Sequence, residues 1–234
     1  MPLDDQPITN AKTPKIRLVD LTRRLDPATE KRRCQIRTHY GEAKGTSGYS
    51  TDMDLMSHLG THLEFPRHWK EHLKDGTQLS VTQFMGRGVL LDLEDIAAGA
   101  DITYGDLERA NRGRVRRGDT VLLNSPHRCE PFSDVPDDPR PNLSIESARW
   151  CVDKRIQCVG FGDAVAIENE ARVEGCNAMH QQLLTRDILM LEVVENLDEL
   201  RQGVFFMTYT PLKIIGLDSC PVRVVAVEGL AEFS

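Results

Sequence analysis

The sequence has 234 residues, of which 40% are hydrophobic and 28% are charged, as in an ordinary globular protein with a hydrophobic core. Its net charge of −7 argues against a nucleic-acid-binding protein, which would concentrate positive charge to neutralise phosphates. No apolar run is long enough for a transmembrane helix. We therefore predict a small-molecule substrate, with neither nucleic acid nor a membrane as partner.

The N-terminus does not resemble a signal peptide, because residues 1–15 are polar and contain no apolar stretch. We interpret these residues as a leader that precedes a single domain, residues 16–234, of a cytoplasmic protein. The six cysteines form no CxxC pair, and buried free thiols in a reducing compartment are expected. Basic residues cluster at 23–24, 31–33 and 112–117 with acids close by, so these clusters are predicted to be solvated faces.

Short apolar runs alternate with helical patterns along the chain. Strands are predicted at residues 16–20, 88–94, 120–124, 157–161, 188–194, 204–215 and 222–227, and helices at 103–111, 144–154 and 177–184. Thr103 and Ser144 are the expected N-caps of the first two helices. Residues 125–142 contain five prolines and no periodicity, which predicts a surface loop and a candidate lid. The alternation indicates one mixed α/β domain.

Four potential metal ligands fall within eleven residues: His58, His62, Glu64 and His68. A zincin-like helix would place His58 and His62 on one face, but Gly60 and Thr61 are poor helix residues and Pro66 follows closely. An extended segment fits better, because residues two apart in a strand point to the same side. Gly60 would allow a turn that brings His58 back towards them.

Imidazole and carboxylate ligands together suit zinc or manganese, and three protein ligands leave room for a reactive water. A single histidine is more often structural than functional, whereas this cluster favours a metal site. Glu192 lies within an apolar run, where a charge needs a partner or a metal. No Gly-x-Ser-x-Gly sequence is present, so a covalent serine mechanism has little support.

The segment His-x-Gly-Thr-His-x-Glu-x-Pro-x-His at residues 58–68 resembles the signature of the cyclase family, which includes bacterial kynurenine formamidases and isatin hydrolases. The family motif usually has aspartate where this chain has Glu64. The resemblance covers about residues 15–230 and includes segments 16–22, 86–93, 142–148, 196–200, 212–213 and 218–223. His180 and Glu192 are similar to a downstream ligand pair of the family, with the same spacing of 12.

The resemblance implies a swivelling β/β/α fold and a homodimer or homotetramer. It implies one metal position held by His58, His62 and Glu64, and a second position that Glu64 shares with His180 and Glu192. One or two Zn²⁺ or Mn²⁺ ions are therefore expected. The assignment of His180 depends mainly on the resemblance, since a lone histidine on a helix is more often structural.

The resemblance also implies that His68 is the proton shuttle, a role that suits an imidazole because it titrates near neutral pH. A metal would lower the pKa of water towards 7 and stabilise the oxyanion that develops on a carbonyl. The leading hypothesis is hydrolysis of an amide C–N bond, with an aryl formamide such as N-formylkynurenine as substrate. Ring opening of a cyclic amide or lactone is the alternative, and a metal-binding protein without turnover is a third.

Two departures from the family pattern concern specificity. The family often reads Val-Gly-x-Asp before the second ligand helix, whereas residues 159–163 of this chain contain one residue more. Residues 164–175 also differ from the common pattern. Since substrate contacts are plausible there, the substrate is the least defined part of the prediction.

Overall fold

The computed structural model describes residues 16–43, 46–131, 135, 137–167 and 178–233. Its strands are β1 (Arg17–Asp20), β2 (Cys34–Ala43), β3 (Thr46–Leu55), β4 (His62–Glu64), β5 (Met85–Asp92), β6 (Thr120–Asn124), β7 (Cys158–Gly162), β8 (Leu189–Val194), β9 (Val204–Thr208), β10 (Ser219–Pro221) and β11 (Val225–Glu228). Its α-helices are α1 (Pro66–Trp69), α2 (Tyr104–Asn111), α3 (Ile145–Lys154) and α4 (Ala178–Leu184).

One mixed sheet contains nine of these strands, in the order β1-β11-β9-β5-β6-β7-β8-β4-β10. Its centre, β5 to β8, is parallel, and a helix lies on each crossover between consecutive parallel strands. Parallel neighbours need such crossovers, since a tight turn can join only antiparallel strands. The remaining pairs are antiparallel. The mixed α/β fold predicted from the sequence is confirmed.

The sheet has a hydrophobic cluster on each face. One cluster lies against the helices and includes Trp150 of α3 and Met179 of α4. The other consists of side chains from the strands and adjoining loops, and it contains both Val19 and Cys220. Because Val19 belongs to one end strand of the sheet and Cys220 to the other, their presence in one cluster means that the sheet curls around this second core.

Strands β2 and β3 form a separate two-stranded hairpin that the sequence did not predict. Tyr40 pairs with Tyr49 and Ile36 with Met53 in its register, so these four side chains share one face. All four are more than half exposed. The opposite face carries charged residues, including an ion pair between His39 and Asp52. The hairpin is therefore amphipathic, with its apolar face uncovered by the described residues of the same chain.

Two predicted strands are wrong in extent. The strand predicted at 204–215 ends at Thr208, and Pro211 soon afterwards lacks the N–H that a ladder requires. The strand predicted at 222–227 is replaced by two strands, 219–221 and 225–228. They are separate because β10 pairs with β4 whereas β11 pairs with β1 and β9, so the chain changes neighbours between them.

The helix starts are confirmed, since the Thr103 and Ser144 side chains cap α2 and α3. The described part of 125–142 contains no helix or named strand, as predicted. Five free cysteines are described, four of them buried; Cys176 and the leader 1–15 lie outside the described residues. None of the described helices is long and apolar enough to cross a bilayer.

Candidate metal centre

Three of the predicted site residues lie on two neighbouring strands. His62 and Glu64 alternate with Leu63 on β4, so they point to one side while Leu63 packs into the inner core. Glu192 on β8 is the cross-strand partner of His62. The extended conformation predicted for this segment is confirmed, and it explains how a ligand 128 positions away in sequence (from residue 64 to 192) reaches the motif.

A turn at Gly60 brings His58 back to the strand, as the sequence predicted. Gly60 has a φ of +56°, and a Cβ there would lie 2.7 Å from Cδ2 of Leu25, so any other residue would be strained at this turn. Nδ1 of His58 then lies 3.2 Å from Nε2 of His62. His68 is on the short helix α1 and His180 is on α4, which packs against α1.

The carboxylate of Glu64 is the centre of the cluster. Its Oε1 lies 3.1 Å from His58 Nδ1, 3.4 Å from His68 Nε2 and 3.9 Å from His62 Nε2. Its Oε2 lies 3.3 Å from His180 Nε2. Glu64 is 2% exposed, so four imidazoles surround a carboxylate that solvent scarcely reaches.

The arrangement fits a divalent metal. His58, Glu64 and His68 form one group whose ligand atoms lie within 4.8 Å of one another, and His62, Glu64 and Glu192 form a second. Glu64 belongs to both groups, which is the geometry that a bridging carboxylate requires. Its Oε2 is buried and accepts no hydrogen bond of good geometry, although His180 is close. A buried carboxylate oxygen in that condition is costly unless a cation satisfies it.

The nitrogens that face the cluster are fixed by hydrogen bonds on the far side of each ring. Nδ1 of His62 donates to the Gly60 carbonyl at 2.8 Å, so Nε2 faces the centre. Asp218 Oδ2 accepts from His58 Nε2 at 2.9 Å and from His68 Nδ1 at 3.2 Å. Such outer contacts set the orientation of metal-ligating histidines.

Asp218 was not among the predicted site residues, although its segment was part of the family resemblance. Nothing in the sequence pointed to this role, because Asp218 lies 150 positions after His68 and shows its partners only in the folded chain. Ser57 also donates to its Oδ1 at 3.0 Å. The bonds from His58 and His68 hold the pKa of Asp218 well below its usual range, so it is an anion that orients two rings.

Burial and neighbouring charges separate the pKa values in the cluster. Burial lowers the pKa of His62 to about 4, so this ring is neutral at physiological pH. Burial alone would lower the pKa of His58, but Asp218 and Glu64 raise it to about 9. A metal that binds Nδ1 of His58 would therefore displace a proton.

The two carboxylates are perturbed in opposite directions. Burial raises the pKa of Glu192, and the charge of Glu64 adds to that effect. Burial would also raise the pKa of Glu64, but the close imidazoles of His180 and His58 outweigh it and lower that pKa. Two buried carboxylates cannot easily ionise together, and a divalent cation between them would remove the repulsion.

Arg32 is a second residue that the sequence analysis missed. It was assigned to a solvated basic face, but its guanidinium donates to the His58 carbonyl. Burial lowers the pKa of Arg32, whereas the charges of Glu192 and Glu64 oppose the shift. The guanidinium therefore lies beside the centre, and a run of three basic residues could not indicate which of them points inward.

Comparisons with known proteins identify the family of the chain. Residues 19–169, more than half of the chain, match the family model described as putative cyclase. Kynurenine formamidase of Bacillus thuringiensis is 28% identical over 174 residues, which cover 74% of this chain and 77% of that protein. An uncharacterised protein of Methanocaldococcus jannaschii is also 28% identical, over 76% of this chain and 82% of its own.

Solved structures share the fold. Isatin hydrolase A from Labrenzia aggregata, bound to benzyl benzoate, matches with a TM-score of 0.72 and 22% identity, over 92% of this chain and 95% of that chain. A potential metal-dependent hydrolase with cyclase activity matches with a TM-score of 0.68 and 22% identity, over 91% and 98%.

The family match and the cluster of imidazoles and carboxylates define the class of protein as a metal-dependent hydrolase. The chain belongs to the cyclase family. The structure brings together all six residues predicted for the site: His58, His62, Glu64, His68, His180 and Glu192. The role of each residue stays a prediction. His68 in particular lies close enough to Glu64 to be a ligand as well as a shuttle.

Proposed function

We propose that this enzyme hydrolyses the C–N bond of an aryl formamide. The observation that carries the proposal is a cavity of about 590 Å³ that borders the centre at Glu192. Phe161, Val165 and Ile167 line it with apolar surface, which suits an aromatic ring held beside a metal. Kynurenine formamidases are among the relatives, so N-formylkynurenine is the first substrate to test.

The family resemblance would have His58, His62 and Glu64 hold one Zn²⁺ or Mn²⁺ ion, and Glu64, His180 and Glu192 hold a second. The structure groups the side chains of the cluster differently, with His68 beside His58 and Glu64, and with His62 beside Glu64 and Glu192. A divalent metal there would lower the pKa of water and polarise the substrate carbonyl. Both contributions address the difficulty of attack on an amide, which is a poor electrophile with a poor leaving group. The chain itself supplies the orientation of substrate and the handling of protons.

His68 is the group placed to handle protons. Its Nδ1 lies 3.2 Å from the Asp218 carboxylate, which orients the ring so that Nε2 faces the cluster. Its side chain is 30% exposed, against 13% or less for His58, His62 and His180, so it is the most exposed imidazole of the four. His68 would accept a proton from the attacking water and deliver it to the departing nitrogen, with Asp218 stabilising the imidazolium.

Ring opening of a cyclic amide or lactone is the second candidate. The same cavity would accept a planar bicyclic substrate, and His68 could equally protonate a departing oxygen. The structural likeness to isatin hydrolase A supports testing this candidate. The residues that would separate the two fall at 164–175, and those from 168 onward lie outside the described residues. A metal-binding protein without turnover fits less well, because the cavity opens onto Glu192.

A hydrolysis screen tests the proposal directly. Protein loaded with zinc or manganese is offered N-formylkynurenine, formanilide, isatin and an aryl lactone, and product formation is followed by absorbance. We expect the formamides to be turned over fastest, in proportion to bound metal. Faster opening of isatin or the lactone would select the second candidate. If protein fully loaded with metal turns over none of these substrates, only the hypothesis of a metal-binding protein without turnover remains.

We also propose that a second copy of the chain covers the hairpin. An isolated two-stranded hairpin is marginal in water. Ten residues per strand give an apolar face on the order of 34 Å by 10 Å. Two hairpins stacked on each other would bury too little for a stable dimer. If each hairpin instead packs on the body of the other copy, each contact buries one hairpin face and a matching area of the partner. The surface buried by the two contacts together is then roughly 1,300 Å², within the usual range for a stable interface. Analytical ultracentrifugation tests this assembly as a homodimer or homotetramer.

A further inference from the structure

Strand β8 contains one extra residue beside the metal centre. Against β7, Gly160 pairs with Leu191 and Gly162 pairs with Val194, so β8 uses three steps where β7 uses two. The surplus is a β-bulge at Glu192 and Val193. Bulges redirect side chains and are common next to active sites.

The bulge changes which way the side chains point. Glu192 and Val193 both line the cavity, whereas Val194 packs into the inner core on the other face. In a regular strand, Val193 would point away from Glu192 and Val194 would share its side. The extra residue therefore places two consecutive side chains, Glu192 and Val193, at the cavity before β8 returns to the inner core at Val194.

Val193 adopts an unfavourable backbone conformation to achieve this. Its φ is +58°, in the left-handed region that a β-branched residue rarely enters. Val193 is also 2% exposed, so its conformation is enforced by packing and hydrogen bonds. Such strain persists only where surrounding contacts over-determine it.

Two contacts hold the bulge from opposite sides. On the β7 side, a Cβ at Gly162 would lie 2.0 Å from the Val194 carbonyl oxygen, so the close approach requires glycine. On the β4 side, the Thr61 hydroxyl donates to the Val193 carbonyl at 2.6 Å. The same hydroxyl accepts from the Arg23 N–H at 2.8 Å, which fixes its orientation.

The Thr61 hydroxyl lies at the step where pairing between β4 and β8 is interrupted. His62 and Glu192 are cross-strand partners, and the next pair along the ladder would be Thr61 with Val193. The bulge interrupts the ladder at that step, and the Thr61 side chain supplies the bond between strands in its place. The bond joins the residue before one candidate ligand to the residue after another. It therefore fixes the separation of His62 and Glu192, whose Nε2 and Oε2 atoms lie 3.5 Å apart.

We propose that Thr61 is a positioning residue that acts through Val193 to hold Glu192 at the metal centre. This inference rests on the proposed function in one respect, that Glu192 is a metal ligand. Thr61 itself is not a candidate metal ligand. Its hydroxyl sets the backbone from which Glu192 projects, and metal ligands tolerate only a few tenths of an ångström of displacement.

Thr61→Val tests the proposal, because valine keeps the shape and removes the hydroxyl. We expect metal affinity, measured by calorimetric titration with Zn²⁺ and with Mn²⁺, to fall about tenfold or more, the usual effect of removing a group that orients ligands. The loss of affinity should affect the metal position that includes Glu192. The number of metal ions bound per chain should therefore drop when metal is limiting. Thr61→Ser keeps the hydroxyl and should restore most of the affinity.

Thr120→Val is the matched control. Thr120 is fully buried and its hydroxyl bonds to the Tyr209 hydroxyl at 2.7 Å, remote from the metal ligands. That variant should lose stability without losing metal affinity. If Thr61→Val binds metal as wild type does, or if Thr61→Ser fails to rescue, Thr61 does not position Glu192.

The effect of Thr61→Val on metal affinity can also be measured in a background that relieves the backbone strain at residue 193. In a Val193→Gly background the left-handed conformation carries no steric penalty, so the hydroxyl should matter less. We expect Thr61→Val to change metal affinity by less than about threefold there. An equal loss in both backgrounds would overturn the mechanism through Val193. Wild-type protein that binds no metal would instead refute the proposed function, so the two failures are distinguishable.

Discussion

Glu64→Asp removes one methylene from the carboxylate that four histidines approach. The aspartate carboxylate would lie about 1.5 Å nearer the backbone, judged from bond lengths. Metal–oxygen distances tolerate errors of only about 0.2 Å. The backbone cannot follow, because β4 is bonded to β8 on one side and to β10 on the other. The site is therefore built around the longer side chain.

We expect Glu64→Asp to weaken metal binding or turnover about tenfold or more, which corresponds to about 1.4 kcal/mol. The loss is expected although aspartate is the commoner residue in the family. Glu64→Gln should do worse, on the order of a hundredfold, since it also removes the charge that offsets the cation. Metal content by plasma emission spectroscopy, affinity by competition with a chromogenic chelator, and formamide turnover would be measured for each variant.

Glu71→Asp and Glu71→Gln are matched controls, since the Glu71 side chain is 90% exposed and pairs with Arg67 at the surface. Both should bind metal as wild type does. If Glu64→Gln keeps its metal and its rate, Glu64 is no ligand, and the centre depends on the histidines and Glu192. Circular dichroism would show whether a variant that loses metal is still folded.

Four further outcomes are expected. A strong chelator should abolish hydrolysis and zinc or manganese should restore it; full activity in metal-free protein would refute the metal mechanism. His68→Ala should lower turnover about 10²–10⁴-fold with metal content unchanged, whereas an empty site would make His68 a ligand. Burial would raise the pKa of Glu228, but Arg17 and two backbone N–H groups lower it, so its stabilisation is present above about pH 4.5 and lost as pH falls further. Glu228→Gln should therefore cost on the order of 1–3 kcal/mol in urea unfolding at pH 7 and little below pH 3, and an equal cost at both pH values would contradict this. Serine at both Tyr40 and Tyr49 should shift sedimentation towards the monomer, and an unchanged oligomer would exclude the hairpin as its interface.

The local parts of the fold could be read from the sequence because their causes are local. Apolar runs at 120–124 and 188–194 predicted buried strands, and Thr103 and Ser144 predicted helix starts through their own hydrogen bonds. The hairpin was missed because its exposed strands carry polar residues on one face and glycine in both strands. The end of β9 was missed because apolar residues continue beyond it, whereas its pairing with both β5 and β11 ends at Thr208.

By itself, the sequence indicated the candidate ligand cluster at residues 58–68, since Gly60, Thr61 and Pro66 argue against a helix through His58 and His62 and favour a strand after a turn. It also singled out Glu192 as a charge that needed a partner. Only the tertiary structure decided that Glu192 faces His62, that Asp218 orients two rings, and that Thr61 bonds to the strained Val193. The physical reason is that a side chain's partner depends on which strands become neighbours. That choice is made by packing of the whole sheet, which no short stretch of sequence records.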